Sequence, residues 1–480
     1  QVLWSDLSTR PPQPFLLRIG FLSSDFGVHP VSTLIRGAIH VLAEEYNDSV
    51  EVVVFSLTNA TGWWAQNISG EAASYTVLAG LSADEAARRV AAGLGRGPRA
   101  LVDLNGHTAG SGLPLLARRP APLQATFLGL PGTTGCPYVD FAVADARSVP
   151  PLRQLAEGQF VERLALLPLF YVPSDYAQLQ GHTVYQPRAK PEDLAGQELK
   201  DTGSFLFACF SNFQKMDPSI FQVWASIMRR VPGSVLIFMQ HKMHSVAAQN
   251  LRRQALAHGI AADRLVFAAR APWAAHTWAK GAAALALDTA RKAGHTTSLD
   301  ALWAGVPLIT LEGDAMAQRA GAGMLHSLEV PELITYSLKE YEDLAVLLAS
   351  NSALLARVRR KVGFLRTRSV LFNTREWTRQ FVYTLKAMVN TLTSPGNNYH
   401  VVIPTSNIPK NRAPIKLHSV LEDYSIEFTE EHRNEDGESQ QQGDRDPVAS
   451  ATPAANKAPP AADGGAAAAV AAAAAAAAAA

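Results

Sequence analysis

The sequence predicts an α/β protein built from two parallel sheets, each covered by helices on both faces. The chain has 480 residues, of which 48% are hydrophobic and 18% are charged, so a large core is feasible over most of its length. Short apolar runs that read as strands alternate with amphipathic helical patterns, and this alternation occurs in two successive halves. Such alternation is typical of parallel sheets that are buried on both faces.

The first half contains short apolar runs that read as buried strands. Amphipathic helices, with apolar residues at i, i+3 and i+4, are predicted at 31–44 and 83–93. The first of these helices follows His29 and Pro30, and proline suits a first helical turn because its missing N–H would have no partner there. The predicted strands are 15–22, 50–57, 100–104, 124–128 and 141–145.

The second half repeats the pattern. Its first helix opens with Asp217 and Pro218, an N-cap followed by proline at the first helical position. Three further helical patterns, at 339–349, 353–367 and 374–389, close the folded part. The predicted strands are 205–210, 234–240, 264–268, 283–288 and 307–311.

These patterns divide the chain into four segments. Residues 1–173 are predicted to form an N-terminal lobe and residues 203–392 a C-terminal lobe. The polar stretch 174–202 reads as a linker or small insertion. Residues 393–480 are rich in Asn, Pro, charge and finally alanine, a composition that predicts a disordered tail.

Composition argues against several classes of protein. A net charge of +1 leaves no dominant basic face, so nucleic acid is not expected as a partner. Cys136 and Cys209 are too few for a disulfide framework or a zinc cluster, which fits a reducing compartment. The alanine tract 466–480 is too weakly hydrophobic for a convincing membrane span. Residues 1–14 show neither an initiator Met nor a signal-peptide pattern, so we expect a piece of a longer chain.

The segment 287–307, LDTARKAGHTTSLDALWAGVP, constrains function most tightly. A strand is predicted to end there and a helix to begin near Thr296, and helix N-termini suit phosphate because their N–H groups are unpaired. Thr297 adds a second hydroxyl, and His295 could lie against a ligand. Asp300, one turn further, could accept from ribose hydroxyls. The alternative is an ordinary strand, loop and helix with a threonine cap.

A second polar loop, FSNFQKMDP at 210–218, contains Asn212 and Lys215 just before a helix. A lysine near a helix N-terminus suits a diphosphate leaving group, although a solvated surface lysine is the alternative. The chain contains neither a Walker loop nor a G-x-G-x-x-G fingerprint. Its Asp-x-Asp, at 444–446, lies in the charged tail. These absences favour nucleotide-sugar chemistry without a metal.

Polar loops also follow strands of the first half, and ligands of open α/β sheets bind at the carboxyl ends of strands. One loop contains His29, which a helix N-terminus would keep neutral. A second loop, DLNGHTAG, contains Asp103, His107 and Thr108, and a third spans 129–135. A lone histidine at an N-cap is more often structural, but two histidines at neighbouring strand ends favour a cleft.

In this order, the motifs resemble the catalytic region of the protein O-GlcNAc transferases and their SPINDLY-type relatives. The similarity runs from about residue 15 to residue 388. The matching segments are SSDFGVHP, LVDLNGHTAG, RPAPLQATFLGLPGTTG, FSNFQKMDPSIFQVWASIMRRVP, GHTTSLDALWAGVP, YEDLAVLLAS and LFNTREWTRQF. The resemblance implies a GT-B fold, in which two Rossmann-like lobes face a cleft. It also implies metal-independent, inverting transfer of GlcNAc from UDP-GlcNAc to Ser/Thr of proteins, with no cofactor.

The resemblance also implies roles for individual residues. Lys215 would contact the diphosphate, and His29 would lie beside the acceptor and the sugar, with Asp103 and His107 as further candidates for catalysis. Trp273 stands where animal-type members have lysine. The remaining implied contacts to the donor are Thr108, Asn212, Ala271, His276, His295, Thr296, Thr297 and Asp300.

Three wider expectations come with this resemblance. They are a tetratricopeptide array upstream of residue 1, protein substrates bearing Ser/Thr, and a location in the cytoplasm and nucleus. The alternatives are a GDP-fucose protein O-fucosyltransferase of the SPINDLY type and a non-catalytic interaction protein of the same fold. His295 and Asp300 favour UDP-GlcNAc, since SPINDLY-type chains have Thr and Glu there. Retention of Lys215 and His29 argues against the non-catalytic alternative.

Overall fold

The first lobe is organised around a parallel sheet. The computed structural model describes residues 2–4, 16–149, 158–196, 204–239, 245–269, 273–393 and 400–404. Within these ranges nine strands, all paired in parallel, follow the order β1-β15-β8-β7-β6-β5-β2-β3-β4. They are β1 Val2–Trp4, β2 Leu17–Ser23, β3 Val50–Ser56, β4 Ser74–Val77, β5 Arg99–Asp103, β6 Leu123–Thr126, β7 Phe141–Asp145, β8 Arg163–Leu167 and β15 His400–Val402.

The second lobe has a smaller sheet, again parallel throughout. In the described ranges six strands follow the order β11-β10-β9-β12-β13-β14. The strands are β9 Leu206–Cys209, β10 Val235–Met239, β11 Leu265–Ala268, β12 Leu285–Leu287, β13 Leu308–Leu311 and β14 Ile334–Thr335. Each of the ten strands predicted from the sequence overlaps one of the observed strands. Ser74–Val77 was missed because it is a part-exposed edge strand without an apolar run.

Helices connect the strands, and several begin at the caps that the sequence indicates. Asp217 accepts from the backbone N–H groups of Ser219 and Ile220, which fixes the start of the helix after β9. The α-helices of the described chain are Pro30–Glu45, Trp63–Glu71, Ala83–Leu94, Leu113–Leu116, Tyr176–Leu179, Pro191–Ala195, Pro218–Arg230, Ser245–Ala257, Trp273–Ala279, Thr296–Trp303, Met316–Leu328, Leu338–Ser350, Ser352–Leu365 and Thr374–Thr393. None of the described helices is both long and apolar enough to cross a membrane.

The helix Thr374–Thr393 lies against the first sheet, not the second. Its Trp377 and Phe381 rings stack with Phe127, at centroid distances of 5.7 and 5.6 Å, and Phe381 also stacks on Phe21. The predicted boundary at residue 392 therefore assigned this helix to the wrong lobe, because its amphipathic pattern does not say which sheet its apolar face will cover.

The end of the described chain also differs from expectation. Residues 400–402 were predicted to belong to a disordered tail, yet they form β15, which pairs with β8 and β1. Three residues give too short a pattern to recognise, and the strand forms only because β8 and β1 are there to pair with it. The predicted disorder of residues 405–480 lies outside the described residues.

The segment predicted as a linker is ordered where it is described, and it packs against both lobes. The Asp175 carboxylate pairs with Arg36 of the first lobe, at 3.1 Å. The Tyr176 ring packs between Trp303 and Phe372. Residues 174–196 therefore help to fix the two sheets relative to each other.

Two loops at the carboxyl edge of the first sheet approach each other closely at Gly129. A Cβ atom added there would lie 2.2 Å from the carbonyl oxygen of Leu104 and 2.8 Å from the Cα of Asn105. Both obstacles are backbone atoms, so they cannot move aside as a flexible side chain could. The glycine thus permits the close packing of the loops that follow β5 and β6.

We expect Gly129→Ala to lower the free energy of unfolding by about 2 kcal/mol, because the added methyl must push two loops apart. Gly132→Ala is the matched control in the same loop, since a Cβ there meets nothing within 4 Å. Urea unfolding followed by circular dichroism measures both variants. Equal stability of the two variants would contradict the close approach.

Candidate active site

Aspartates that end or directly follow strands organise the loops at the carboxyl edges of both sheets. Asp103 ends β5, Asp145 ends β7, and Asp288 follows β12. Each carboxylate is buried and accepts hydrogen bonds from backbone N–H groups of the loop that follows it. Burial raises the pKa of Asp103 and of Asp288 to about 6. Through these hydrogen bonds, the three carboxylates fix the conformation of the loops in which the candidate residues lie.

In the second lobe, Asp288 holds the loop that leads to the helix Thr296–Trp303. Its Oδ1 accepts from the N–H of Gly294 at 2.7 Å and from that of Thr289 at 2.9 Å. Its Oδ2 accepts from the Thr310 hydroxyl at 2.9 Å. Gly294 is required here, because a Cβ would lie 2.1 Å from the Ser298 hydroxyl. The result is a tight turn directly before the helix N-terminus.

Lys215 lies against this turn, as the sequence predicted. It ends a short 3-10 helix, Phe213–Lys215, and its Nζ donates to the carbonyl oxygen of Ala293 at 3.3 Å. Burial lowers the pKa of Lys215, while the negative charge of Asp288 opposes that shift. An ammonium group has three N–H donors, and the Asp288 oxygens already accept three hydrogen bonds from other groups. Lys215 therefore retains donors for an anion.

His295 connects this turn to the first lobe. Its Nδ1 lies 3.1 Å from the Ala293 carbonyl oxygen, and its Nε2 lies 2.7 Å from the hydroxyl of Tyr171, which follows β8. Burial, with a smaller contribution from Lys215, lowers the pKa of His295 to about 3. The ring is therefore neutral at ordinary pH. With Nδ1–H donated to the carbonyl, Nε2 is the acceptor of the Tyr171 hydroxyl.

The two threonines occupy the N-terminus of the helix, where phosphate would be expected. Thr296 is the first helical residue and Thr297 the second, and both are partly buried. The Thr297 hydroxyl is buried and has no hydrogen-bond partner within the described part of the chain. An unpaired buried hydroxyl is costly unless a ligand completes it. Thr297 therefore provides a free donor at the helix N-terminus that follows the turn contacted by Lys215.

Asp300 is held by an internal network that the sequence did not reveal. Its Oδ2 pairs with Nζ of Lys280 at 2.5 Å, and its Oδ1 accepts from the Tyr176 hydroxyl at 2.5 Å and from Thr277 at 3.4 Å. Both charged side chains are almost fully buried. Oδ1 already accepts two hydrogen bonds and only Oδ2 has a lone pair left, so the ribose contact of Asp300 stays a prediction.

The other predicted donor contacts are less well defined. Asn212 caps the 3-10 helix of Lys215, accepting from the N–H of Gln214 at 3.4 Å. His276 lies on the helix Trp273–Ala279, one residue before Thr277 of the Asp300 network. Ala271 lies outside the described residues. The proposed contacts of all three with the nucleotide stay predictions.

In the first lobe, the centre of the polar cluster is Asn105, which sequence analysis did not single out. It is fully buried. Its Nδ2 donates to the Ser24 hydroxyl at 2.8 Å, to Asp25 at 3.0 Å and to the Thr108 hydroxyl at 3.0 Å. Its Oδ1 accepts from the Ser24 N–H at 2.9 Å. One amide therefore ties together the loops that follow β2 and β5.

His29 lies at the edge of this cluster. It is the N-cap of the helix Pro30–Glu45, and its Nδ1 accepts from the N–H of Val31 at 3.3 Å. Asp25 lies 3.5 Å from the same nitrogen, and 45% of the His29 side chain is exposed. His29 thus has a structural cap and an accessible ring at once. Asn105 orders the carboxylate beside it.

The structure does not support a direct catalytic role for Asp103. The side chain is fully buried, and its oxygens accept from the N–H groups of Asn105 and Gly106 in its own loop. A strand-ending aspartate looks the same in sequence whether it faces the cleft or its own loop. His107 is exposed, and its Nε2 lies 2.7 Å from the carbonyl oxygen of Thr134, so its catalytic role stays a prediction.

The loop 129–135, which approaches His107, is fixed by a buried carboxylate. Glu162 accepts from the Thr133 hydroxyl at 2.6 Å and from the N–H of Thr134 at 2.6 Å. Over the described ranges, His, Cys, Asp and Glu do not form a group of three or more that could hold a metal ion.

Two parallel-sheet lobes, with cationic and hydroxyl donors at the carboxyl ends of their strands, define a GT-B glycosyltransferase. Comparison of the sequence with family models then identifies the family. Residues 9–194 and 196–381 match the model of glycosyl transferase family 41. The chain belongs to that family, which confirms the predicted resemblance and fold class.

Individual relatives agree with this assignment. The chain is 35% identical over 365 residues to the Arabidopsis thaliana protein named probable UDP-N-acetylglucosamine–peptide N-acetylglucosaminyltransferase SEC, covering 75% of this chain and 36% of that protein. It is 26% identical over 466 residues to the Caenorhabditis elegans UDP-N-acetylglucosamine–peptide N-acetylglucosaminyltransferase, covering 75% and 40%. The chain therefore spans well under half the length of either relative.

Solved structures show the same architecture. A mutant of Thermobaculum terrenum O-GlcNAc transferase superposes with a TM-score of 0.69 at 28% identity, covering 80% of this chain and 69% of that chain. Anabaena HepE, in complex with UDP and glucose, has a TM-score of 0.51 at 12% identity, covering 77% and 99%. The second likeness shows the fold alone.

We expect Lys280→Met to destabilise the protein by about 3 kcal/mol, because it leaves the Asp300 carboxylate buried without its cation. The double variant Lys280→Met with Asp300→Leu removes both charges and should recover part of that loss. Urea unfolding of the wild type, both single variants and the double variant gives the coupling energy. Strictly additive effects would show that the two charges do not depend on each other.

Proposed function

We propose that this chain is the catalytic region of a metal-independent, inverting transferase that moves GlcNAc from UDP-GlcNAc to Ser/Thr hydroxyls of proteins. The observation that carries the proposal is the convergence of Lys215 and the unpartnered Thr297 hydroxyl on one helix N-terminus. A cation, a free donor and a positive dipole end together suit a diphosphate. The names of the family 41 relatives support the donor and the peptide acceptor.

In the proposed reaction, the acceptor hydroxyl gives up its proton to a base or to water, and its oxygen attacks the anomeric carbon while the bond from that carbon to the diphosphate oxygen breaks. Negative charge grows on the departing diphosphate. Lys215 and Thr297 would stabilise it by charge and hydrogen bonding, and these donors are preorganised by the turn that Asp288 closes. Because the proposal meets that charge with protein groups, the transfer would need neither a metal ion nor another cofactor.

The neutral His295 would contribute a contact surface and no charge, because both of its ring nitrogens already have partners. Its Nε2 accepts from Tyr171 in the structure, so a residue of the first lobe sets the orientation of the His295 ring in the second lobe. On the acceptor side, the half-exposed His29 ring lies at the edge of the Asn105 cluster, with Asp25 3.5 Å from its Nδ1. We propose His29 as the group next to the attacking hydroxyl.

Two parts of the proposal rest on the family resemblance alone. A tetratricopeptide array upstream of this chain and a location in the cytoplasm and nucleus are both expectations. The peptide acceptors in the relatives' names support protein substrates, and we propose Ser/Thr hydroxyls as the groups that receive the sugar. The identity of those substrates is open to a direct acceptor screen.

We expect Lys215→Ala to lower kcat about a hundredfold, since a donor aimed at a leaving group contributes about 3 kcal/mol in the transition state. The assay follows labelled UDP-GlcNAc transferred to a protein acceptor in EDTA, where the wild type should remain active. Lys292→Ala, which removes an exposed neighbouring cation, is the matched control and should keep most of the activity. Full turnover by folded Lys215→Ala protein, or a metal requirement of the wild type, would refute this mechanism.

We expect UDP to bind at least about tenfold more tightly than GDP, a difference of about 1.4 kcal/mol. Thr297→Val keeps the shape of the side chain and removes its free hydroxyl, so UDP affinity should fall several-fold while the protein remains folded. Isothermal titration calorimetry measures all these affinities. Transfer of labelled GDP-fucose, without transfer from UDP-GlcNAc, would contradict the donor assignment and leave the fold intact.

A further inference from the structure

A cationic cavity lies in the second lobe, at the edge of the sheet opposite Lys215, and Thr277 of the Asp300 network forms part of its lining. It has a volume of about 260 Å³, and its lining includes Arg188, Arg359 and Arg366. It adjoins Gly281, which precedes β12, and Trp303, which ends the helix that starts at Thr296. Chain direction in a parallel sheet puts these positions at the amino edge. Lys215 and His295 lie at the opposite, carboxyl edge.

The three guanidinium groups are held in place by backbone carbonyls. Arg188 donates to the carbonyl oxygens of Gly281 and Ala282, at 3.0 and 3.1 Å. Arg359 donates to those of residues 283 and 284, at 2.5 and 2.8 Å. Arg366 donates to the Trp303 carbonyl at 2.5 Å. The cations are therefore positioned without any need for a carboxylate.

No counter-ion accompanies these charges. Within the described ranges, no Asp or Glu oxygen lies within 4.0 Å of a nitrogen of Arg188, Arg359 or Arg366, and no acidic residue lines the cavity. The Nε of Arg366 is buried without a hydrogen-bond partner. Burial, with the nearby charge of Arg188, lowers the pKa of Arg359 to about 9. Arg188, Arg359 and Arg366 thus share the cavity with Arg360, and no carboxylate of the lining offsets their charge.

The cavity has room because of a helical glycine. Arg359, Gly363 and Arg366 follow each other at i, i+4 and i+7, so they share one face of the chain around the helix Ser352–Leu365. A Cβ added at Gly363 would meet nothing within 4 Å. The indole-bearing residues Trp278 and Trp303 form part of the wall.

We propose that this cavity binds a phosphate dianion, either inorganic phosphate or the phosphate group of a small phosphomonoester. Guanidinium forks match the geometry of phosphate oxygens, and charge-assisted hydrogen bonds would relieve the repulsion. The volume falls below the usual range of about 300–1,000 Å³ for small-molecule sites, which favours a small anion over a nucleotide. This site is separate from the donor site of the proposed reaction.

Thermal unfolding in sodium phosphate, compared with sodium chloride of equal ionic strength, tests the proposal. We expect phosphate to raise the Tm of the wild type, because a ligand that binds only the folded state stabilises it. Calorimetric titrations with inorganic phosphate and with a hexose 6-phosphate distinguish the two sources. Tighter binding of the hexose phosphate identifies a phosphomonoester, and equal binding identifies free phosphate. No Tm shift and no heat with either would overturn the proposal.

Two variants of Gly363 locate the binding. Gly363→Glu places a carboxylate in the open space of the cavity, and Gly363→Gln is its match in size without the charge. In chloride buffer we expect the Glu variant to melt at a higher temperature than the Gln variant. It should also lose at least tenfold in phosphate affinity relative to the Gln variant. Indistinguishable behaviour of the two would overturn the assignment.

Phosphate could also bind at the helix N-terminus at Thr296, so a third variant, Lys215→Ala, separates the two sites. Lys215→Ala weakens the donor site only, and it should keep the Tm response to phosphate. Loss of that response in Lys215→Ala, together with its retention in Gly363→Glu, would show that the effect comes from the donor site and not from the arginine cavity.

Discussion

The buried carboxylate of Asp288 is the interaction on which the candidate donor site depends. It draws the N–H of Gly294 back toward the end of β12 and is fixed from the other side by Thr310. This closes the turn whose Ala293 carbonyl receives Lys215 and which delivers His295 to the helix N-terminus. A charged group is expensive to bury unless hydrogen bonds satisfy it, so the turn and the aspartate require each other.

The two lobes meet through hydroxyl groups of the first lobe and the linker. Tyr171 reaches His295, and Tyr176 reaches Asp300 beside Lys280. Both tyrosines are fully buried, and burial raises the pKa of each phenol well above its usual value, so both act as donors of hydrogen bonds. The geometry of the donor site is therefore set jointly by both lobes, although the predicted ligand contacts lie mainly in the second.

Buried charged groups in the second lobe have two different kinds of partner. Near the donor site, Asp288 is saturated by hydrogen bonds, and Lys280 and Asp300 neutralise each other. At the amino edge of the same sheet, arginines are positioned by carbonyl oxygens alone. Carbonyl dipoles orient a guanidinium group without cancelling its charge. The first arrangement leaves Lys215 to act alone, whereas the second leaves several cations to share one anion.

The sequence by itself determined the α/β class, ten strands and most helices, because burial on both faces of a parallel sheet imposes apolar runs. It also determined the loops that contain Lys215, His295 and Thr297, because ligand-binding residues follow strand ends. It could not show that the last helix covers the first sheet, that Asp103 turns into its own loop, or that Asn105 is the centre of the first-lobe cluster. Lys280 gave no signal, since a lysine before a strand reads as a surface residue. Only the tertiary structure decided these points, because they depend on which distant side chains share a buried space, and local patterns do not encode that.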